Sequence, residues 1–322
     1  MSDSQAMLGG VGGPEPDAGA RPDIVAPPGT EGETRARSLG RDAWDDLRKS
    51  PVVIVSAVLI FILVVMAAFP GLFTGVDPKE CLLNRSRQKP SGDAWFGYDL
   101  QGCNIYARTI HGARASMVVG GLAALIVTIV GVALGMLAGF YGGWIDTIIS
   151  RLTDIFFGIP FLLGAIIVLT SFPSGDSRNF WLPVSKVVLA LAVLGWTNIA
   201  RIMRAQVLQV KEADYVHAAR ALGAPTWRIL RVHVLPNAIQ PVIVYSTILL
   251  GAFIGTEAAL SYLGIGLQPP AVSWGIDISS AQEYIRTSPH MLLFPSLFLS
   301  VTVLAFIMMG DAVRDALDPK QR

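Results

Sequence analysis

Six long apolar segments limit what this chain can fold into. They cover residues 52–69, 116–140, 155–171, 187–207, 239–262 and 291–310. A helix needs about 20 apolar residues to cross the ~30 Å hydrocarbon core of a bilayer. Backbone groups in that core find no water to bind, so each segment must be helical. The sequence therefore predicts an all-α membrane protein with six transmembrane helices, the third interrupted at Gly158 and Pro160.

The composition excludes a large water-soluble core. Only 15% of the 322 residues are charged and the mean hydropathy is +0.52. A soluble domain carries about 25% charged residues. The net charge of +1 gives no sign of a nucleic-acid partner.

The segments before the core have their own character. Residues 1–40 are rich in Gly, Pro and acidic residues and cannot bury enough apolar surface to fold alone, so we expect a disordered tail. We expect residues 41–50 to form a short amphipathic helix on membrane lipid, with Trp44 at the interface. The first apolar segment lies too far along the chain for a cleaved signal peptide, so residues 51–70 are expected to remain as the first transmembrane helix.

Lys and Arg residues predict the orientation. If the N-terminus is cytoplasmic, most of the 25 Lys and Arg residues also lie on the cytoplasmic side, as they do in membrane proteins generally. Residues 71–113 are then an extracytoplasmic loop, residues 114–310 a five-helix core, and residues 311–322 a cytoplasmic tail. Within the core, residues 208–237 form a cytoplasmic loop. We therefore expect a multi-pass protein of the cell membrane with both termini cytoplasmic.

The cytoplasmic loop has the pattern of two short helices with a bend between them. The first helix is expected over 211–222; Gly223 ends it in a left-handed conformation, and Pro225 suits the first turn of the second. Pro236 is expected to end that second helix. Apolar residues follow helical spacing on both: Val216, Ala219, Leu222, Trp227, Leu230 and Val234. An exposed apolar stripe is typical of a docking surface, although a hairpin lying on the membrane is an alternative.

The same loop resembles the EAA loop of ABC importer permeases, whose pattern is E-A-A, three residues, G, nine residues, I-x-L-P. Ala218, Ala219, Gly223, Leu235 and Pro236 are in register, whereas His217 replaces the Glu and His233 replaces the Ile. The resemblance implies that this loop couples the permease to an ATPase. The candidate coupling residues are His217, Ala218, Ala219, Leu222, Gly223, Trp227, Leu230, Leu235 and Pro236.

Other motifs resemble the oligopeptide/dipeptide branch of these permeases, in its C-type half. They are GYDLQGCN at 97–104, YGGWID at 141–146, EAALSYLG at 257–264, QPP at 268–270, SWG at 273–275, and GD at 310–311 with DP at 318–319. The resemblance implies a type I importer fold and a peptide substrate. Relatives of this architecture also carry nickel chelates, haem or glutathione, so these remain alternatives.

The resemblance also implies the partners. A second permease forms a heterodimer with this chain, two ATPases bind beneath the pair, and an extracytoplasmic substrate-binding protein delivers the substrate. The sequence holds no G-x-x-x-x-G-K-[ST] motif, so ATP and Mg are expected on the ATPases, with no cofactor on this chain. Its His, Asp and Glu residues form no catalytic pattern, and we expect a non-catalytic subunit.

Cys81 and Cys103 are the only cysteines and both fall in the predicted outer loop. An oxidising compartment favours a disulfide between them, with two free thiols as the alternative. Further ligands at metal-binding spacing are missing, so no metal site is expected. Arg151 and Asp154 have the i, i+3 spacing of a helix-surface ion pair.

Glu257 lies inside the fifth apolar segment. A charge at that depth is costly and usually faces a partner or water. A pathway or inter-subunit contact and a hydrogen bond to a neighbouring helix are equally good interpretations. Two other function classes remain: an ion-coupled secondary transporter, which needs several acidic residues at span midpoints, and a non-transporting membrane scaffold.

Overall fold

The computed structural model describes residues 47–172 and 180–317, and the regular elements in these ranges are helices. In chain order they are α1 Pro51–Ala68, α2 Ile105–Tyr141, α3 Gly143–Phe157, α4 Phe161–Ser171, α5 Trp181–Val210, α6 Asp214–Ala221, α7 Thr226–Arg228, α8 Leu235–Ala238, α9 Gln240–Tyr262, α10 Trp274–Ala281 and α11 His290–Leu317. A π-helical segment, Ile229–Val234, joins α7 to α8. The predicted tail 1–40, most of the predicted helix 41–50 and residues 318–322 lie outside the described residues.

Among the described residues, five helices are long and apolar enough to cross a membrane: α1, α2, α5, α9 and α11. The third predicted segment is not a single straight helix. Helix α3 ends at Phe157, α4 begins at Phe161, and the two are bent by 92°. Pro160 adopts an extended backbone and has no N–H to continue the helical ladder. Counted as one broken span, the pair brings the total to six.

Several helices extend beyond their apolar segments. Helix α2 has 37 residues and begins at Ile105, so the outer loop ends before the predicted residue 113. At 1.5 Å per residue it is about 55 Å long, well over the bilayer thickness. Helix α11 continues to Leu317, so much of the predicted tail 311–322 is helical. An apolar segment marks only the part of a helix that lies in lipid. Beyond the lipid, the same helix can continue with polar residues that pack against the rest of the protein.

The centre of the fold is the packing of α2 on α5. Three glycines of α2, Gly131, Gly135 and Gly139, let the two helices approach closely. A Cβ at Gly135 would lie 2.4 Å from the carbonyl oxygen of Ala200. The close approach brings the C-terminal end of α2 beside the C-terminal half of α5, and the candidate loop follows directly from α5.

Candidate coupling site

The first loop helix, α6, ends at the predicted bend. Gly223 has φ +78°, in the left-handed region. The Ala224 N–H donates to the Ala219 carbonyl over 3.0 Å, and the Leu222 N–H to the Ala218 carbonyl over 3.0 Å. These bonds satisfy carbonyls that the end of a helix leaves unpaired. The bend thus follows from one glycine at the position where a left-handed residue is needed.

The second half of the loop differs from the sequence prediction. Pro225 is extended and precedes α7 rather than forming its first turn. The chain then widens into the π-helical segment, which no sequence pattern indicated. Pro236 was expected to end the helix but lies in the first turn of α8. Proline is tolerated there because an N–H in the first turn has no helical partner to lose.

Burial divides the predicted apolar stripe in two. Val216, Ala219, Leu230 and Val234 are buried in the main core of the protein. The prediction of one exposed stripe is therefore wrong for these residues, because helical spacing does not tell whether an apolar face meets the same chain or another one. Ala219 and Leu230 hold the loop in place and do not face outward.

Two large apolar side chains are exposed at the bend. Leu222 is 88% exposed and Trp227 is 66% exposed, one on each side of Gly223. His217, Ala218 and Pro236 are also exposed, whereas Leu235 is half-buried. His217 Nε2 lies 3.5 Å from Glu212 Oε2; at such exposure the pair contributes little. An outward-facing Leu and Trp on a polar loop form a small surface suited to a protein partner.

Side-chain contacts fix the loop to the helical core. Lys211 Nζ donates to the Gly139 carbonyl, near the end of α2, over 3.0 Å. The guanidinium of Arg220 lies 5.4 Å from the centre of the Phe140 ring. Both contacts reach the last turn of α2, so the loop is held at its start and along α6.

Two ion pairs attach α3 to α5 beside this anchor. Arg204 binds both carboxylate oxygens of Asp146, at 2.7 Å for Oδ2. Arg201 Nη2 lies 2.7 Å from Asp154 Oδ1. The predicted pairing of Asp154 with Arg151 is therefore wrong, because a residue from α5 supplies the cation. Sequence spacing detects pairs within one helix but not those between helices.

Glu257 is completely buried inside this chain. Its Oε2 accepts a hydrogen bond from Ser116 of α2, and its Oε1 accepts one from Ser261, each over 2.8 Å. Ser261 Oγ in turn accepts from the Leu267 N–H over 3.0 Å. Of the two interpretations left open by the sequence, the structure has the hydrogen bond to a neighbouring helix. No part of Glu257 reaches a surface that a second subunit could contact.

The outer loop is folded rather than extended. Cys81 and Cys103 are joined by a disulfide that closes a 22-residue separation. Asp99, in the same loop, accepts the Cys103 N–H over 2.8 Å and lies 3.4 Å from Arg108 Nε at the start of α2. Arg108 also binds Asp277 of α10. Sequence analysis missed this network because its members are distant along the chain.

The described ranges, 47–172 and 180–317, contain no group of three or more His, Cys, Asp or Glu residues that could hold a metal ion. The loop is attached to the helical core by buried apolar residues and by a Lys–carbonyl hydrogen bond, and interhelical ion pairs lie beside it. The geometry suits binding and transmission of movement.

This chain is similar in sequence to known proteins. Residues 131–322, more than half of the chain, match the family model described as the binding-protein-dependent transport system inner membrane component. Residues 38–90 match the N-terminal TM domain of oligopeptide transport permease C. A solved structure of the MetNI methionine ABC transporter in inward-facing conformations is similar over 65% of this chain and 96% of that chain, with TM-score 0.49 and 21% identity.

Curated relatives match over most of their length and most of this chain. The oligopeptide transport system permease protein OppC of Bacillus subtilis is 38% identical over 89% of this chain and 92% of its own. The dipeptide transport system permease protein DppC of the same organism is 38% identical over 88% and 87%. The glutathione transport system permease protein GsiD of Pectobacterium atrosepticum is 35% identical over 88% and 92%. This chain therefore belongs to the family of binding-protein-dependent transport system inner membrane components, the permeases of ABC importers, in its oligopeptide/dipeptide branch.

Proposed function

We propose that this protein is one permease subunit of an ATP-driven importer of dipeptides or oligopeptides. The relatives named above support the substrate class, since two of them are oligopeptide and dipeptide permeases. The observation that carries the coupling role is the bend at Gly223, where Leu222 and Trp227 are the most exposed large apolar side chains of the loop 208–237. A loop that is fixed to the core and exposes apolar side chains at its tip can bind a partner and transmit the partner's movement to the helices.

The proposed movement passes from the loop to the helices. An ATPase that binds the tip displaces α6, and Lys211 and Arg220 connect α6 to the end of α2. Helix α2 moves together with α5, because their close glycine-mediated contact leaves no room for independent sliding. The ion pair between Asp146 and Arg204 adds α3 to the same body. The result is alternating access driven from the cytoplasmic side.

The proposed assembly contains four kinds of subunit. This chain pairs with a second permease, two ATPases bind ATP and Mg beneath the pair, and an extracytoplasmic binding protein delivers the peptide. The chain carries no Walker A motif, so the chemistry of ATP belongs to the ATPases and this subunit is non-catalytic. In the proposed orientation both termini and the coupling loop are cytoplasmic, in agreement with the distribution of Lys and Arg.

Uptake by cells tests the substrate directly. Labelled dipeptides and longer peptides are given to cells that lack this protein and to the same cells after re-expression, with nickel chelate, haem and glutathione in parallel. Peptide uptake that falls and returns with the gene supports the proposal and gives the length preference. Unchanged peptide uptake with a fall for another compound refutes the peptide assignment. Glutathione is the second candidate, because GsiD is 35% identical to this chain.

Copurification tests the function class. A tagged full-length chain is expected to bring down a protein with a Walker A motif, whereas an ion-coupled transporter or a scaffold has no such partner. Leu222→Asp, which places a charge on the exposed tip, is expected to remove that ATPase from the complex. Leu83→Asp is the matched control, since Leu83 is 78% exposed and lies in the outer loop. Retention of the ATPase by Leu222→Asp refutes docking at the tip.

A further inference from the structure

Three exposed apolar side chains lie beside the end of α1 that is followed by the outer loop. Phe69 is 63% exposed and Leu72 is 76% exposed; they follow the last residue of α1 within one turn. Trp95 is 67% exposed and comes from much later in the loop. Exposure of such apolar side chains to water is unfavourable in free energy. We therefore expect another molecule to cover them.

One aromatic contact of Trp95, together with the contacts of its neighbours Tyr106 and Phe96, fixes the loop segment at this place. Its ring centre lies 5.3 Å from that of Tyr106, in the first turn of α2. The Tyr106 hydroxyl donates to the carbonyl of Phe73, in the turn after α1, over 3.1 Å. The neighbouring Phe96 stacks on Phe294 of α11 at 3.9 Å. The loop segment is therefore bound to the ends of three membrane helices, although more than 20 residues separate it from α1.

The packing of α1 sets the depth of this cluster. Met66 and Ala67, at the end of α1, pack with Ile110 and Ala113 of α2 in one buried cluster. Helix α1 is 18 residues long, about 27 Å, which nearly equals the ~30 Å thickness of the hydrocarbon core. Residues just beyond it lie where hydrocarbon gives way to head groups. Trp is enriched at this level because its ring is apolar and its N–H is polar.

The outer surface of α1 is continuous with the cluster. Phe61 of α1 is exposed, and the exposed Phe69 directly follows the last residue of the helix. Only 22% of the apolar window of α1 is buried within the protein. A surface that faces lipid along α1 therefore continues onto Phe69 and Leu72.

We propose that Phe69, Leu72 and Trp95 form an interface patch by which the disulfide-closed outer loop rests on the lipid of the adjacent leaflet. The patch inserts at the boundary between acyl chains and head groups. It holds the loop at a fixed height over α2 and α11, independently of the transported substrate. The occupant is bilayer lipid rather than another protein, since the patch is continuous with the exposed side of a membrane helix.

Spin labels at matched positions test the patch. Leu72→Cys and Leu83→Cys replace the same residue type at nearly equal exposure in one loop. Each variant is labelled in the assembled complex and reconstituted into liposomes, and mass spectrometry checks for one label and an intact Cys81–Cys103 bond. Accessibility to oxygen, which concentrates in lipid, is compared with accessibility to a water-soluble nickel chelate. Phe69→Cys provides a second position if Leu72→Cys does not assemble.

The proposal expects an oxygen-to-nickel accessibility ratio several-fold higher for the label at Leu72 than for that at Leu83. Equal ratios at the two positions overturn it, because apolar exposure alone would then explain the result. A higher ratio at Leu83 overturns it as well. A Leu72 label that neither reagent reaches also overturns it, since another protein then covers the patch.

Discussion

The ammonium group of Lys211 donates a hydrogen bond to the carbonyl oxygen of Gly139, with an N–O distance of 3.0 Å. The bond joins the first residue after α5 to the last turn of α2, 72 residues earlier. Gly139 is also one of the glycines at the contact between these helices. A cation at a helix C-terminus interacts favourably with the helix dipole. The loop therefore contacts the α2–α5 pair at Gly139, where the two helices themselves are in contact.

Loss of this bond is expected to weaken coupling. Lys211→Met keeps the aliphatic stem but leaves the Gly139 carbonyl without its charged donor, at a cost of about 1.5–3 kcal/mol. Transport per ATP hydrolysed is expected to fall, while membrane insertion is unchanged. The ratio of uptake to ATP hydrolysis in proteoliposomes measures the effect, with Lys211→Arg as a partial rescue. A normal ratio in Lys211→Met speaks against this contact as part of the coupling route.

The bend is expected to depend on backbone conformation alone. A Cβ at Gly223 meets no atom within 4 Å, yet φ is +78°. Gly223→Asn is expected to retain transport, because Asn enters the left-handed region readily. Gly223→Val is expected to lose most transport, because a β-branched residue is an outlier there and distorts the bend at about 1–2 kcal/mol. Equal uptake by the two variants in membranes of equal protein content contradicts this explanation.

Close packing of α2 on α5 gives a prediction with an internal control. Gly135→Ala places a methyl group 2.4 Å from the Ala200 carbonyl oxygen and is expected to destabilise the protein by about 1–3 kcal/mol. Gly121→Ala on the same helix meets no atom within 4 Å and is expected to be neutral or slightly stabilising. Thermal unfolding in detergent compares the two. Unchanged stability of Gly135→Ala would show that the helices separate easily.

Glu257 is expected to matter for stability through its hydrogen bonds. Glu257→Ala removes the acceptor of Ser116 and Ser261 and opens a cavity, so a loss of about 2–4 kcal/mol is expected. Glu257→Gln keeps the shape and a carbonyl acceptor and is expected to lose less. Thr256→Ala, at the half-buried neighbouring position, is the control. Thermal unfolding orders the three variants, and a stable Glu257→Ala with impaired transport favours a direct role in the pathway instead.

Local sequence patterns predicted the features that depend on local physics. Apolar length gave α1, α2, α5, α9 and α11, because lipid demands a minimum run of apolar residues whatever the tertiary structure. The bend at Gly223 was predictable because few other residues adopt its backbone conformation without strain. The break between α3 and α4 followed from Pro160, although the size of the 92° bend depends on packing.

Features that depend on distant partners could not be predicted. Arg108 and Asp277 are 169 residues apart, and only the fold brings them together near the N-terminus of α2. Asp154 binds Arg201 rather than the nearby Arg151 for the same reason. The apolar positions Val216 and Leu230 indicated an amphipathic loop, but a periodic pattern does not identify what covers the apolar face. Here the protein's own core covers Val216 and Leu230, whereas Leu222 and Trp227 at the bend stay exposed.

Crosslinking from the loop tip tests the central claim most directly. A photoreactive amino acid in place of Leu222 is introduced in the assembled complex, and the captured protein is identified by mass spectrometry with and without ATP. The account predicts capture of a protein with a Walker A motif, in a yield that changes when ATP binds, and no such capture from the same amino acid at Leu83. Failure to capture an ATPase from Leu222, or equal capture from Leu83, would contradict coupling through this loop.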